Sequence, residues 1–222
     1  MKTKVLLALG LVLMMVSLYR DFVYVHVKNT MDVMGVLSRI FYLMVPVGWL
    51  ALLSFFIVFV CSILYLSKKE NKWDIIAHSA AEIGIVSTTL ALIVGTLWGK
   101  GYWGVWWTGE ARLTATLILW LIYLAYFLVR SFANEESRGA RFAAVIGIVG
   151  FVDVPIVAFA TSLWRGLHPP PLIFEGGLAP DQALTLMLSI FAYTVVFVVL
   201  LILRVYIANN ESDIKQLKEQ IG

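Results

Sequence analysis

The stretch 98–114 holds the side chains with most to offer chemically: Trp98, Tyr102, Trp103, Trp106 and Trp107, followed by Glu110 and Arg112. An indole ring is apolar while its N–H still needs a partner, which suits it to a membrane boundary. Four tryptophans within ten residues, interleaved with Gly99, Gly101 and Gly104, exceed what a boundary needs. They make an aromatic platform for something flat, and the glycines leave the backbone open to close approach. A helix over 103–107 would set Trp103 beside both Trp106 and Trp107, at the three- and four-residue spacings that share a face. Glu110 and Arg112 would then supply charge beside that face.

Elsewhere, His168 lies among Trp164, Arg165 and three consecutive prolines at 169–171 that stiffen the backbone. A loop histidine is commonly a solvated side chain, but histidine is also the commonest metal ligand and can hold haem iron axially. Met44 stands five residues after Arg39 and two before Pro46. Its ordinary role is packing; its chemical one is as a thioether axial ligand opposite a histidine. Arg39, Arg112 and Arg165 either anchor at headgroups or pair with carboxylates, for which the guanidinium fork is suited. Together, beside an aromatic platform, they favour an anionic planar ligand. Asp153 lies inside an apolar run, where a charge costs at least about 2.5 kcal/mol; it should face the protein interior, or serve a helix break with Pro155. His78 and Glu82 share one helical face and read as an interhelical polar contact in preference to a proton relay.

What positions these residues is a membrane. Hydrophobic residues make up 61% of the chain and charged residues 14%, against near half and about a quarter in soluble domains. One span needs roughly 20 apolar residues. Six such runs occur, at about 5–19, 40–66, 73–97, 113–129, 142–163 and 182–206, within a single integral membrane domain over 1–222. The first run follows Lys2 and Lys4 and lacks a small-residue cleavage pattern, so it reads as an uncleaved span. The fold class is therefore all-α, polytopic, with six transmembrane helices. Alternate loops carry eleven Lys and Arg against six, which places both termini in the cytoplasm. Loops 20–39, 98–112 and 164–181 then share the outer face, so Met44, the tryptophans and His168 are expected at one site. The lone Cys61 excludes an intramolecular disulfide. No Walker-type loop, paired-histidine protease motif or nucleophile elbow is present, so an ATP-driven step needs another subunit.

Residues 103–114 resemble the tryptophan-rich WWD signature of haem-handling proteins in cytochrome c biogenesis. Residues 39–46, Asp153-Val154-Pro155-Ile156 and 164–168 are similar, in order and spacing, to the cytochrome c maturation protein C (CcmC) family. The resemblance implies a multi-pass protein of the inner (cytoplasmic) membrane that is no enzyme but a transfer scaffold. It binds haem b transiently at the periplasmic face and presents it to the haem chaperone CcmE, with a haem-attachment activity towards that chaperone as an open possibility. Its partners are the ATP-binding-cassette subunits CcmA and CcmB and the small subunit CcmD. Carried over by position, His168 is one axial ligand; Trp103, Trp106, Trp107, Glu110, Arg112 and Leu113 belong to the signature; Arg39, Trp164 and Arg165 complete the binding set.

Three departures distinguish this chain. The family's second axial histidine, just before the Val-Pro pair, is Met44 here. The signature's closing Trp-Asp is Gly109-Glu110, and a single Trp164 stands where paired tryptophans are common. Met44 is the expected replacement ligand by position, with His26 or a five-coordinate iron as alternatives. Two rival readings remain: a b-type haem electron carrier, which would want more in-span histidines than His78, and a solute transporter using Asp153 and Glu82.

Overall fold

Long apolar runs in a medium without water must satisfy their backbone internally, and helices do so within one segment. The computed structural model describes residues 2–24, 35–133, 135–164 and 178–221. Among them there are helices and no strands: α1 (Lys2–Tyr19), α2 (Gly35–Lys68), α3 (Asn71–Trp103), α4 (Ala111–Phe132), α5 (Glu136–Gly150), α6 (Asp153–Leu163) and α7 (Pro180–Ile221). Six segments are long and apolar enough to cross a membrane, α5 and α6 together forming one of them over Glu136–Leu163. This is the all-α, six-span architecture that the six apolar runs predict.

The helices alternate in direction. α2 turns into α3 at Lys69, whose φ of 57° reverses the chain. Asp74 near the start of α3 meets Arg130 near the end of α4, whereas Gly95 approaches Leu113 at the other end of the same pair. Gly10 of α1 packs on Val196, while Ser17 reaches Ser189, so α1 runs antiparallel to α7. The tryptophan-rich stretch thus sits at one end of the bundle, together with the end of α1 and the starts of α2 and α7.

The core lies between α2, α3, α4 and α5. Phe55, Val58, Leu119, Tyr123 and Tyr126 are buried there against Ala80, Ala81 and Ala143, and Phe55 stacks on Tyr123 with ring centroids 3.6 Å apart. Association of helices in lipid depends on close packing and polar contacts because tails are as apolar as leucine. A Cβ added at Gly84 would come within 2.5 Å of Phe55, and one at Gly147 within 2.9 Å of Val58. Buried hydroxyls turn inward on their own helices: Ser54 donates to Leu50 O (2.7 Å) and Thr88 to Gly84 O (2.7 Å). Trp120 Nε1 donates to Thr89 Oγ1 across α4 and α3 (2.8 Å).

Charges are paired across helices at the end opposite the tryptophans. Arg130 holds Asp74 with both guanidinium nitrogens, at 2.6 and 2.5 Å. Arg204 of α7 grips both oxygens of Glu82 on α3, and His78 Nε2 stands 3.5 Å from the same carboxylate. Of the four-residue pair, Glu82 makes the interhelical polar contact, to Arg204, and His78 lies beside it on the same helix.

Two local features refine this picture, and only the first departs from expectation. α1 continues through a π-helical turn, Arg20–Tyr24, so Arg20 and Asp21 belong to the helix and not to a linker. Asp21 is buried, accepting from Ser189 (2.9 Å) and Ser17 (3.3 Å), while Arg20 donates to Thr185 (3.1 Å). The fifth span is broken at Phe151 and Val152, and Asp153 opens α6. A carboxylate in a first turn faces the positive end of the helix dipole, and Pro155 sits where its missing N–H has no ladder partner to lose. The helix-break role anticipated for Asp153 and Pro155 accounts for this geometry.

Candidate functional site

The helix over 103–107 does not form. α3 stops at Trp103 because Gly104 adopts φ 76°, and its N–H donates to Lys100 O at 3.1 Å. Glycine takes this left-handed conformation without the Cβ clash that penalises other residues. Gly109 repeats it at φ 69°, just before Glu110, the residue that precedes α4. Residues 104–110 are therefore an irregular connection between two helices. Lys100 Nζ fastens it by donating to Gly104 O (2.7 Å) and lies 5.9 Å from the Trp106 ring.

The platform accordingly forms from a helix end plus a connection. On the last turns of α3, Trp98 stacks on Tyr102 at 4.9 Å with an interplanar angle of 7°, and meets Trp103 edge-on at 5.1 Å. Trp98 is buried, whereas Trp106 is 57% and Trp107 44% exposed.

Beneath these rings lies a cavity of about 380 Å³, within the range of about 300–1,000 Å³ usual for small-molecule sites. α2 contributes Met44, Gly48 and Trp49; α3 contributes Gly95, Trp98, Gly99 and Trp103; the connection contributes Trp106, Thr108 and Glu110. Arg112, Leu113 and Thr116 of α4 line it too, as do Val157 and Phe159 of α6 and Ile190 of α7. A Cβ added at Gly48 would meet nothing within 4 Å, so the glycine leaves open space along the α2 wall. Trp49 Nε1 donates to Thr194 Oγ1 (3.1 Å), tying α2 to α7 beside the cavity.

Eight of the residues singled out from sequence therefore meet around one space: Met44, Trp98, Gly99, Trp103, Trp106, Glu110, Arg112 and Leu113. Trp107 and Trp164 are outside its lining, Trp164 capping α6 through its N–H to Ala160 O. Arg39 lies in α2 more than a turn before Met44, and its buried Nε has no hydrogen-bond partner among the described residues. His168, Arg165 and His26 lie outside the described residues. Sequence reasoning missed Trp49, Thr116 and Phe159. The small-xxx-small spacing of Gly95 and Gly99, which lets helices or ligands approach closely, was the available signal for the α3 wall.

The family model for heme exporter protein C, CcmC, matches residues 1–220. The chain belongs to the heme exporter protein C family. It is 36% identical over 169 residues to heme exporter protein C of Bradyrhizobium diazoefficiens, covering 75% of this chain and 64% of that protein. With the Rhodobacter capsulatus heme exporter protein C, identity is 32% over 190 residues, covering 84% and 78%. A putative cytochrome c biosynthesis ccmC-like mitochondrial protein of Marchantia polymorpha is 34% identical over 139 residues. The chain thus spans under two thirds of the length of the Bradyrhizobium and Marchantia proteins, at 64% and 58%.

Within this heme exporter family member, the donor set suits a porphyrin. Indole faces offer stacking, the glycine walls admit a planar edge, and the Met44 thioether is a recognised axial donor. Arg112 sets a guanidinium, suited to carboxylates, in the lining.

Proposed function

We propose that this protein handles haem in cytochrome c biogenesis, holding it as cargo at the tryptophan end of the bundle. The observation that carries the reading is the cavity on which Met44, Trp103, Trp106, Glu110 and Arg112 converge from three helices and the connection between two of them, in a chain of the heme exporter protein C family. Met44 and His168 are the axial ligands, the tryptophans bind the porphyrin faces and edges, and Arg39, Arg112 and Arg165 take the propionates. Leu113 and Trp164 complete the binding set. Iron and porphyrin bring the reactivity; the protein binds, orients and releases them, so the role is a transfer scaffold and not an enzyme.

The positive-inside bias puts both termini in the cytoplasm and the cavity at the periplasmic face of the inner membrane. Haem b held there transiently is presented to the chaperone CcmE, with CcmA, CcmB and CcmD as the other members of the assembly. These partners rest on the family relationship.

The test is an absorption spectrum, oxidised and reduced, of the detergent-purified protein beside Met44→Ala and His168→Ala variants. Haem present in the parent, and lost or changed in spin state in both variants, supports the two-ligand site. Loss with His168→Ala alone assigns Met44 to packing and turns attention to His26. Binding unaffected in both variants refutes the ligand assignment, and a parent that binds no haem under any condition refutes the haem reading itself.

A further inference from the structure

α7 is far longer than a bilayer requires. Its 42 residues extend about 63 Å at 1.5 Å per residue, against a hydrocarbon core of about 30 Å. Arg204, paired with Glu82 of α3, marks where the helix leaves the bundle's charged end. The helix continues through Asn209, Asn210, Glu211 and Asp213 to Ile221, adding about 25 Å beyond Arg204. A polar environment is implied for this extension, yet it carries an apolar stripe. Ile207, Ile214 and Leu217 are 48%, 52% and 56% exposed.

Their spacing is a heptad. Leu200, Leu203, Ile207, Asn210, Ile214, Leu217 and Ile221 alternate at three and four residues, the a and d positions of a coiled-coil seam sustained over three heptads. Ile and Leu divide between a and d in the extension, the pattern that favours two strands. In this register Asp213 is at g and Lys218 at e, and both are exposed. Neither forms an ion pair with another described residue in the structure.

We propose that the α7 extension pairs with that of a second copy of this chain as a parallel, in-register two-stranded coiled coil. Three features favour a copy of the same chain over another partner. Two copies inserted in one membrane in the same orientation project their extensions in parallel, and a parallel pair brings g of one strand against the following e of the other. That contact sets Asp213 of each strand against Lys218 of its partner strand, two opposite-charge pairs. In-register pairing also sets Asn210 against Asn210, so the amides satisfy each other where an apolar partner would strand them. Two heptads outside the bilayer are short for a free peptide, but α7 is already helical through the membrane, which removes the nucleation cost. Confinement to a membrane plane further raises the effective concentration.

The test is disulfide cross-linking of the full chain in proteoliposomes at low protein density, in a Cys61→Ala background. Ile214→Cys, in the seam, should form a covalent dimer several-fold more efficiently than Ser212→Cys, on the outer face. Lys218→Glu in the Ile214→Cys chain should reduce that yield several-fold, and adding Asp213→Lys should restore it. Equal yields at 214 and 212, or no rescue by the double charge reversal, overturn the proposal. So does an Ile214→Cys chain that cross-links in native membranes only to a different protein.

Discussion

Gly48 allows the cavity to be filled without disturbing its walls. A Cβ there meets nothing within 4 Å, and the residue lines a space of about 380 Å³. Gly48→Leu adds four carbons; at roughly 30 Å³ for each water-sized unit, these occupy about 120 Å³, close to a third of the cavity. The same change removes a glycine from the interior of α2, where leucine is the better helix former by roughly 0.5–1 kcal/mol. Stability and binding should therefore move in opposite directions. Thermal unfolding in detergent should show a midpoint equal to or above the parent's. Haem titration followed by absorbance should show at least a tenfold weaker affinity, a loss of about 1.4 kcal/mol or more. Retention of parent-like affinity in a stably folded Gly48→Leu protein would refute the assignment of haem to this cavity. A lowered unfolding midpoint would instead show that the α2 wall is not open at this position.

Two further outcomes follow from the geometry. Asp74→Ala leaves the Arg130 guanidinium without its bidentate carboxylate in a largely buried position and should cost about 3–5 kcal/mol, whereas Asp74→Leu with Arg130→Met should recover most of it; denaturant-induced unfolding in mixed micelles measures both, and a double variant no better than the single one defeats the argument. Met44→His should keep haem bound with a reduction potential below the parent's, because replacing a His–Met pair by two histidines lowers the potential; an equal or higher potential in a reductive titration would remove Met44 from the iron.

The membrane architecture was legible because it depends on composition over about twenty residues at a time, which tertiary context cannot overrule. The convergence of Met44 with the tryptophans was legible for a related reason: an even number of crossings between two segments returns them to one end. Local geometry was not legible to the same degree. Trp103 and Trp106 have helical spacing, but Gly104 is free to take φ 76°, and whether a glycine ends a helix is decided by its neighbours. Asp21 reads as the start of a polar linker until Ser17 and Ser189 surround it, the latter 168 residues away. The Asp74–Arg130 pair was equally hidden, since 56 residues and a helical hairpin separate its members. His168, Arg165 and His26 fall outside the described residues, so their assignment rests on sequence alone.

Two interhelical ion pairs clamp the end away from the tryptophans: Asp74 with Arg130, and Glu82 with Arg204. Hydroxyl contacts such as Trp49 to Thr194 and Arg20 to Thr185 join helices at the tryptophan end. Such contacts are individually worth about 1 kcal/mol, whereas separating a buried pair costs several times more. The clamp thus ties α3 to α4 and to α7 at one end of the bundle, while the cavity lies towards the other end of the same helices. The walls of the site are therefore set by helices whose far ends two bidentate arginine–carboxylate pairs hold in register, so the charged end acts as the frame from which the cavity is hung.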